Sequence, residues 1–430
     1  MAAGNTGEEV MSRQVDSKPI EDFCFLDPAV LDDPFDYYRA LHEQAPVYKM
    51  PETGMYIVAG YDDLRQVLLD PETFSNNMDG YGMLQGENWK VHQEILAERG
   101  WPDLPTLNFT DPPTHTRYRR IADTIFNAKR IAALSGRIEE LCHATIDRFI
   151  DRGECEFVSE FSFPLVGTII SEQLGLDSEQ MATFKKWGEA IMAPTSRVMS
   201  LEELRENAET IVEMQQFIAG KLDERRKEPR NDLISALVSA RSDDGEELNM
   251  MELQSMMRQF LSGTYESVVT MIAHGMLILL RNPDVTARLQ ADLSRVPDFV
   301  EEALRYDSPV PGLARMVTRD TQVGGVDIAA GSIIMTRYAA ANRDPAKFEC
   351  PHKFDMDRSN KAHLAFGNGP HFCVGRALAR RELNLAFTAL LTRMTDFELA
   401  RPLPDPVHIP HALLRPMKEL PLRFTKVSTD

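Results

Sequence analysis

A single thiol set in a glycine-rich turn is the first feature of this sequence that could do chemistry. In HLAFGNGPHFCVGRALARRE, His363 to Glu382, Cys373 lies among Gly367, Gly369 and Gly375, with His371 two residues before it and a basic, helix-like run after it. A thiolate becomes a strong metal ligand when its pKa falls, and the amide N–H groups and dipole of a following helix favour the negative charge. Gly367 and Gly369 permit positive φ in a tight turn, and Gly375 lets the backbone approach a flat body closely. His371 can contact an anion from the same loop. Together these residues suit a planar metal macrocycle with carboxylate edges and one axial thiolate. A second reading takes Cys350, His352, His371 and Cys373 as a C-x-H…H-x-C zinc pattern, although structural zinc rarely comes with three glycines and a phenylalanine woven into one ligand pair. A dinucleotide site would need a preceding βαβ pattern, and none is present.

Three further stretches carry chemistry. In DPPTHTRYRR, His115 and Arg119 are four apart on one helical face, suited to gripping a carboxylate. Glu302 and Arg305, in VEEALRYDSPV, form an E-x-x-R pair that must be fully satisfied if it is buried. The third is LSGTYESVVT, inside a long apolar helix that Asn249 can cap with Glu252 as reciprocal partner and that Asn282-Pro283 stops. That helix spans roughly 45 Å. Phe260, Gly263, Thr264 and Ser267 share one of its faces, and a buried helix that turns polar on one stripe needs a polar partner or water there.

The elements that must position these residues are mostly helical. The stretches 135–151 and 204–228 are amphipathic with helical period. YKMPETGMYIV reads as a hairpin over Val47–Val58, and two short strands lie around Gly324–Gly325 and Gly331. The expected fold is therefore mainly α with a minor β part, as a polar, unstructured tail over 1–20 and one large domain over 21–430. Among 430 residues, 47 are basic and 66 acidic, a net charge of −19 that excludes nucleic acid as a partner. Five scattered cysteines point to a reducing compartment. The N-terminus is neither a signal peptide nor a membrane anchor, so a cytoplasmic location is expected.

FGNGPHFCVG resembles the haem-binding signature of the bacterial cytochromes P450, F-G-x-G-x-H-x-C-x-G, with Phe366, Gly367, Gly369, His371, Cys373 and Gly375 at its fixed positions. DPPTHTRYRR, the E-x-x-R pair, Arg315 in GLARMVTRD and FDMDR follow in the family's order, so the resemblance covers most of the chain. It implies the P450 fold, with haem b held between two helices. It also implies that Cys373 is the axial iron ligand and that His115, Arg119, Arg315 and His371 contact propionates. Glu302 and Arg305 would be structural, with Lys353 standing where many members have an arginine that completes their network. The central helix aligns as Gly263-Thr264-Tyr265-Glu266-Ser267, with Thr264 in place of a glycine and Ser267 in place of a threonine. Ser267 would then steady the dioxygen being split while Glu266 relays protons. A one-residue shift would put Glu266 at the alcohol position and favour peroxide chemistry.

By the same resemblance, Met83, Leu84, Trp101, Leu107, Phe260, Gly263, Val310, Leu313 and Leu414 line the substrate pocket. The substrate is then an apolar molecule such as a terpenoid, steroid or aromatic, with 76–108 as a lid. No flavin or iron–sulfur segment follows the cysteine region. Electrons are expected from a ferredoxin and ferredoxin reductase, docking near Arg117, Arg376 and Arg380. The expected activity is monooxygenation. The alternatives are a peroxide-driven peroxygenase and a non-catalytic thiolate-haem sensor.

Overall fold

A computed structural model describes residues 18–78, 82, 85–176, 180–243 and 245–428. Residues 1–17 of the expected tail lie outside that range. Its end does not: Ile20 is buried and its N–H donates to Gln44 Oε1 at 3.0 Å, so the packed body already includes it.

The chain opens with α1 (Pro28–Asp32), α2 (Phe35–Gln44), the antiparallel hairpin β1 (Val47–Lys49) and β2 (Tyr56–Val58), α3 (Tyr61–Leu69) and β3 (Phe74–Ser75). The helical body follows: α4 (Trp89–Arg99), α5 (Thr114–Ile125), α6 (Ala128–Asp147), β4 (Glu154–Glu156), α7 (Phe163–Gln173), α8 (Met181–Ser196), α9 (Leu201–Lys227), α10 (Leu233–Ser239) and α11 (Met250–Arg281). Then come α12 (Pro283–Ala291), α13 (Val296–Tyr306), β5 (Leu313–Val317), β6 (Thr321–Val323), β7 (Val326–Ile328), β8 (Ile333–Thr336) and α14 (Tyr338–Ala341). After a long loop, α15 (Arg376–Arg393), β9 (Met394–Leu399) and β10 (Pro421–Lys426) complete the fold.

The central element is α11. Asn249 accepts from the Glu252 N–H at 3.1 Å while Glu252 returns a bond to the Asn249 N–H at 2.8 Å, the expected capping box. Its 32 residues are apolar enough to cross a membrane by length and composition, but 67% of the most apolar stretch is buried inside the protein. It runs through the largest apolar cluster, with α7, α13 and α15 packed around it. At Gly275 a side chain would collide with the Phe387 ring, so glycine sets the close crossing of α11 with α15.

The β part forms a five-stranded sheet ordered β1-β2-β8-β5-β3, in which only β2–β8 is parallel among the described pairs, and a three-stranded sheet β4-β10-β9. The β6–β7 hairpin turns at Gly324 and Gly325, whose φ values of +55° and +79° explain the glycine pair.

Candidate active site

The loop that carries Cys373 is fixed by its backbone. The Cys373 N–H donates to Phe366 O at 2.9 Å and the Phe372 N–H to Gly369 O at 3.0 Å. Gly369 has φ +72°, and any Cβ there would strike the backbone carbonyl of Leu68 at the end of α3. Glycine is thus required by both torsion and space. Gly375 precedes α15, and the amides of Gly375 and Arg376 hydrogen-bond the Cys373 sulfur. Burial pushes the thiol pKa up; those amides and the charges of Arg119 and Arg376 oppose it.

Arginine and histidine side chains converge next to this loop. The rings of His115 and His371 lie 4.1 Å apart, and both nitrogens of His371 are buried without a hydrogen-bond partner. Burial first, then His115, Arg315 and Arg119, push His371 down to about 2. Arg315 is buried, donates to Ala314 O at 2.7 Å and pairs with no carboxylate among the described residues. Arg119 bonds Asp123 at 3.0 Å and crosses to the cysteine loop, donating to Pro370 O at 3.1 Å and Phe372 O at 2.5 Å. A buried guanidinium needs an anion, and an orphaned imidazole needs a hydrogen-bond partner. The carboxylate edge of a haem beside Cys373 would meet that need, so the residues fit the group.

The zinc reading fails. Among the described residues no three His, Cys, Asp or Glu side chains converge as metal ligands; Cys350 is exposed and His352 lies against Arg343.

The polar stripe of α11 is divided between two environments. Gly263 is solvent-accessible in mid-helix, with nothing within 4 Å of where a Cβ would stand, and Ser267 Oγ donates to Gly263 O at 3.0 Å. Thr264 donates to Phe260 O, and these two residues line an apolar cavity of about 40 Å³ with Phe126, Leu261, Leu378 and Glu382. Phe260 stands edge-on to Phe126, centroids 5.1 Å apart. Glu382, absent from the sequence reading, is buried with one carboxyl oxygen unpartnered, and burial raises it to about 8. Its signal was a glutamate on a helix face otherwise made of Leu378, Leu383 and Ala386. Glu266 is raised to about 7, by burial and then by the charge of Glu189 on α8.

The family model for cytochrome P450 matches residues 168–424. The chain is 34% identical over 400 residues to 6-deoxyerythronolide B hydroxylase of Saccharopolyspora erythraea, covering 90% of this chain and 96% of the relative. It is 33% identical over 362 residues to a steroid C26-monooxygenase of Mycobacterium tuberculosis, covering 84% and 86% respectively. The chain belongs to the cytochromes P450. The solved structure of cytochrome P450 CYP109Q5 from Chondromyces apiculatus superposes with a TM-score of 0.82 at 32% identity, over 94% of this chain and 98% of that one. This P450 is a monooxygenase of the family, and its cofactor is haem.

In this P450 the E-x-x-R pair is fully buried. Arg305 Nε and Nη2 each bond Glu302 at 2.8 Å, and Nη1 reaches Asn342 O at 2.8 Å and Pro351 O at 3.0 Å. The third member is not the Lys353 side chain. Arg358 lies 3.3 Å from both Glu302 oxygens and donates to Glu349 O at 2.6 Å, while Lys353 offers only its carbonyl. The network ties α13 to the chain that leads into the cysteine loop.

Met83 and Leu84 lie outside the described residues. Trp101 exchanges backbone bonds with Gln215 of α9, and Leu107 sits in a turn that Gln259 holds through the Asn108 N–H at 2.9 Å. Val310 is half-buried and Leu414 buried, and neither joins a described apolar cluster; Leu313 opens β5, its N–H 3.2 Å from Thr336 Oγ1. The expected docking arginines divide. Arg117 bonds Glu252 at 2.5 Å and Arg380 bonds Glu301 at 2.5 Å, so both serve internal pairs. Arg376 meets no carboxylate among the described residues and donates to Cys373 O at 2.9 Å.

Proposed function

We propose that this P450 is a ferredoxin-dependent monooxygenase acting on an apolar, polycyclic molecule of steroid type, with Cys373 as the axial thiolate. The supporting observation is the convergence of His115, Arg119, Arg315 and the unpartnered His371 beside a cysteine whose sulfur accepts two backbone amides. The bound haem would supply dioxygen activation, with the thiolate favouring O–O cleavage. The chain's own residues do the rest. Arg315 and Arg119 neutralise the carboxylate edge and His115 and His371, kept neutral by burial, donate N–H bonds to it, while Arg119 also clamps the loop that presents the sulfur. Ser267, whose proton is held by Gly263 O, keeps oxygen lone pairs free to accept from a protonated oxygen of the co-substrate. Glu266, one residue before it and able to carry a proton near neutrality, delivers protons to the same space. With a hydroxyl at 267 and the carboxyl beside α8, the monooxygenase alignment is favoured over the shifted, peroxide-using one.

The steroid class rests on the apolar candidates Leu107, Val310, Leu313 and Leu414 and on a relative named for a steroid. We place the enzyme in the cytoplasm, reduced by a ferredoxin and its reductase. The test is the reduced, carbon monoxide-treated protein. It should give the red-shifted Soret band of a thiolate-ligated haem, lost in Cys373→Ser. A folded protein without that band would end the reading. Steroids should then induce the low-to-high-spin shift and consume NADH with a reconstituted ferredoxin system.

A further inference from the structure

Glu266 lies where α11 crosses α8. A Cβ on Gly188 would come 3.5 Å from Tyr265 Cδ1, and Phe184 stands edge-on to the Tyr265 ring with centroids 5.3 Å apart. Phe163 of α7 closes the other side of that ring at 5.4 Å. The next residue along each helix from this contact is a glutamate. The crossing therefore sets Glu189 of α8, which is exposed, beside the partly buried Glu266.

The neighbouring charges are already committed. On α8, Lys186 bonds Glu213 of α9 at 2.5 Å, and Lys185 stands 3.9 Å from Glu189 itself. Glu172 of α7 bonds Arg137 at 2.7 Å, Glu160 in the turn before α7 bonds Arg152, and Arg258 on α11 bonds Asp103. Glu382 of α15 lies on the flank of α11 that Thr264 lines. Among the described residues no cation lies within 4.0 Å of Glu266, and the group that faces it is another carboxyl. Two such groups side by side do not both ionise readily, so the pair retains a proton at neutral pH.

We propose that Glu189 is the solvent-side partner of Glu266, and that protons enter the oxygen-reducing space through this carboxyl pair. The proposal rests on the reading of Glu266 as the proton relay. In each turnover one dioxygen and the substrate take up two electrons from the ferredoxin and two protons. One oxygen atom enters a C–H bond as hydroxyl and the other leaves as water. For each proton delivered, Glu266 passes its own proton inward, and the carboxylate left behind is reprotonated by Glu189, which in turn takes a proton from a solvent hydronium. Glu189 touches neither haem nor substrate, so it acts as a positioning and feeding residue.

The experiment combines infrared titration with turnover. In the haem-loaded, substrate-free enzyme, the protonated carboxyl stretch of Glu266 is identified by its loss in Glu266→Gln. Glu189→Gln should move the midpoint of that band down by about one pH unit. In turnover, it should lower product formed per NADH several-fold at pH 8, raise the solvent deuterium isotope effect, and leave the substrate-induced spin shift unchanged. An unmoved band would show that no pair exists. A moved band with wild-type coupling and isotope effect would overturn proton entry through Glu189. If Glu266→Gln itself keeps wild-type coupling, the relay reading beneath the proposal falls instead.

Discussion

Arg358 shows what a motif reveals and what it hides. The E-x-x-R spacing identifies Glu302 and Arg305, because i, i+3 neighbours on a helix meet whatever the rest of the chain does. The third partner depends on the path of the loop after Pro351, and only the folded chain shows that Arg358 closes the network. Removing it leaves Glu349 O without its described donor and a buried carboxylate with one cation fewer. Arg358→Ala should cost about 3 kcal/mol in denaturant unfolding. Lys353→Ala, which removes a side chain outside the network, should stay within about 0.5 kcal/mol. Glu382 supplies a pH prediction. Its folded-state value of about 8 lies above the ordinary 4.5, so the folded protein holds the proton more tightly than the unfolded chain. Its contribution to stability is full below pH 4.5 and falls as pH rises toward 8. Glu382→Gln should therefore flatten the decline in melting temperature across that window; an unchanged slope would show that the carboxyl is not buried protonated.

Elements were legible where local rules decide them. The capping box named the start of α11, Pro283 its end, and the alternation around two glycines the β6–β7 turn. The mid-helix polar stripe was visible by period, but its division was not. Which of Gly263, Thr264 and Ser267 faces open space depends on how α5 and α15 pack against α11. The lid segment shows the same limit. It reads as a lid, yet its described part is fastened: the Gln85 amide donates to Pro194 O at 2.7 Å and Arg197 O at 2.8 Å, and its oxygen accepts from Met199 N–H at 3.0 Å. His92 of α4 meets Asn207 of α9 at 3.0 Å. These bonds join the described part of the lid to the α8–α9 connection. Gln85→Ala should lower stability by about 1–3 kcal/mol and speed substrate entry and release, measured by stopped-flow spin shift.

For the whole molecule, a net charge of −19 makes any cationic patch on the thiolate side conspicuous to an acidic partner. The arginines of that side are of two kinds. Arg117 and Arg380 hold Glu252 and Glu301, so their loss should appear as lowered stability. Arg376, whose guanidinium lies on the cysteine loop, and the exposed Arg381, which bonds only Ser135 Oγ at 2.8 Å among the described contacts, meet no carboxylate among the described residues. Arg376→Glu with Arg381→Glu should slow reduction by ferredoxin about tenfold at low salt, with the difference shrinking as ionic strength rises. A salt-independent loss would point to a disturbed haem loop instead.

The turn that carries Leu414 is fastened from outside itself. Arg415 bonds Asp307 at 2.6 and 2.8 Å and Asp32 O at 2.8 Å, while the His408 N–H donates to Asp32 Oδ1 at 2.6 Å. Because charged neighbours set its backbone, the side chain at 414 can be exchanged without reshaping the frame that presents it. Under the proposed pocket role of Leu414, a lineage or an engineer could retune what the enzyme accepts there while the charged frame around it stays as it was.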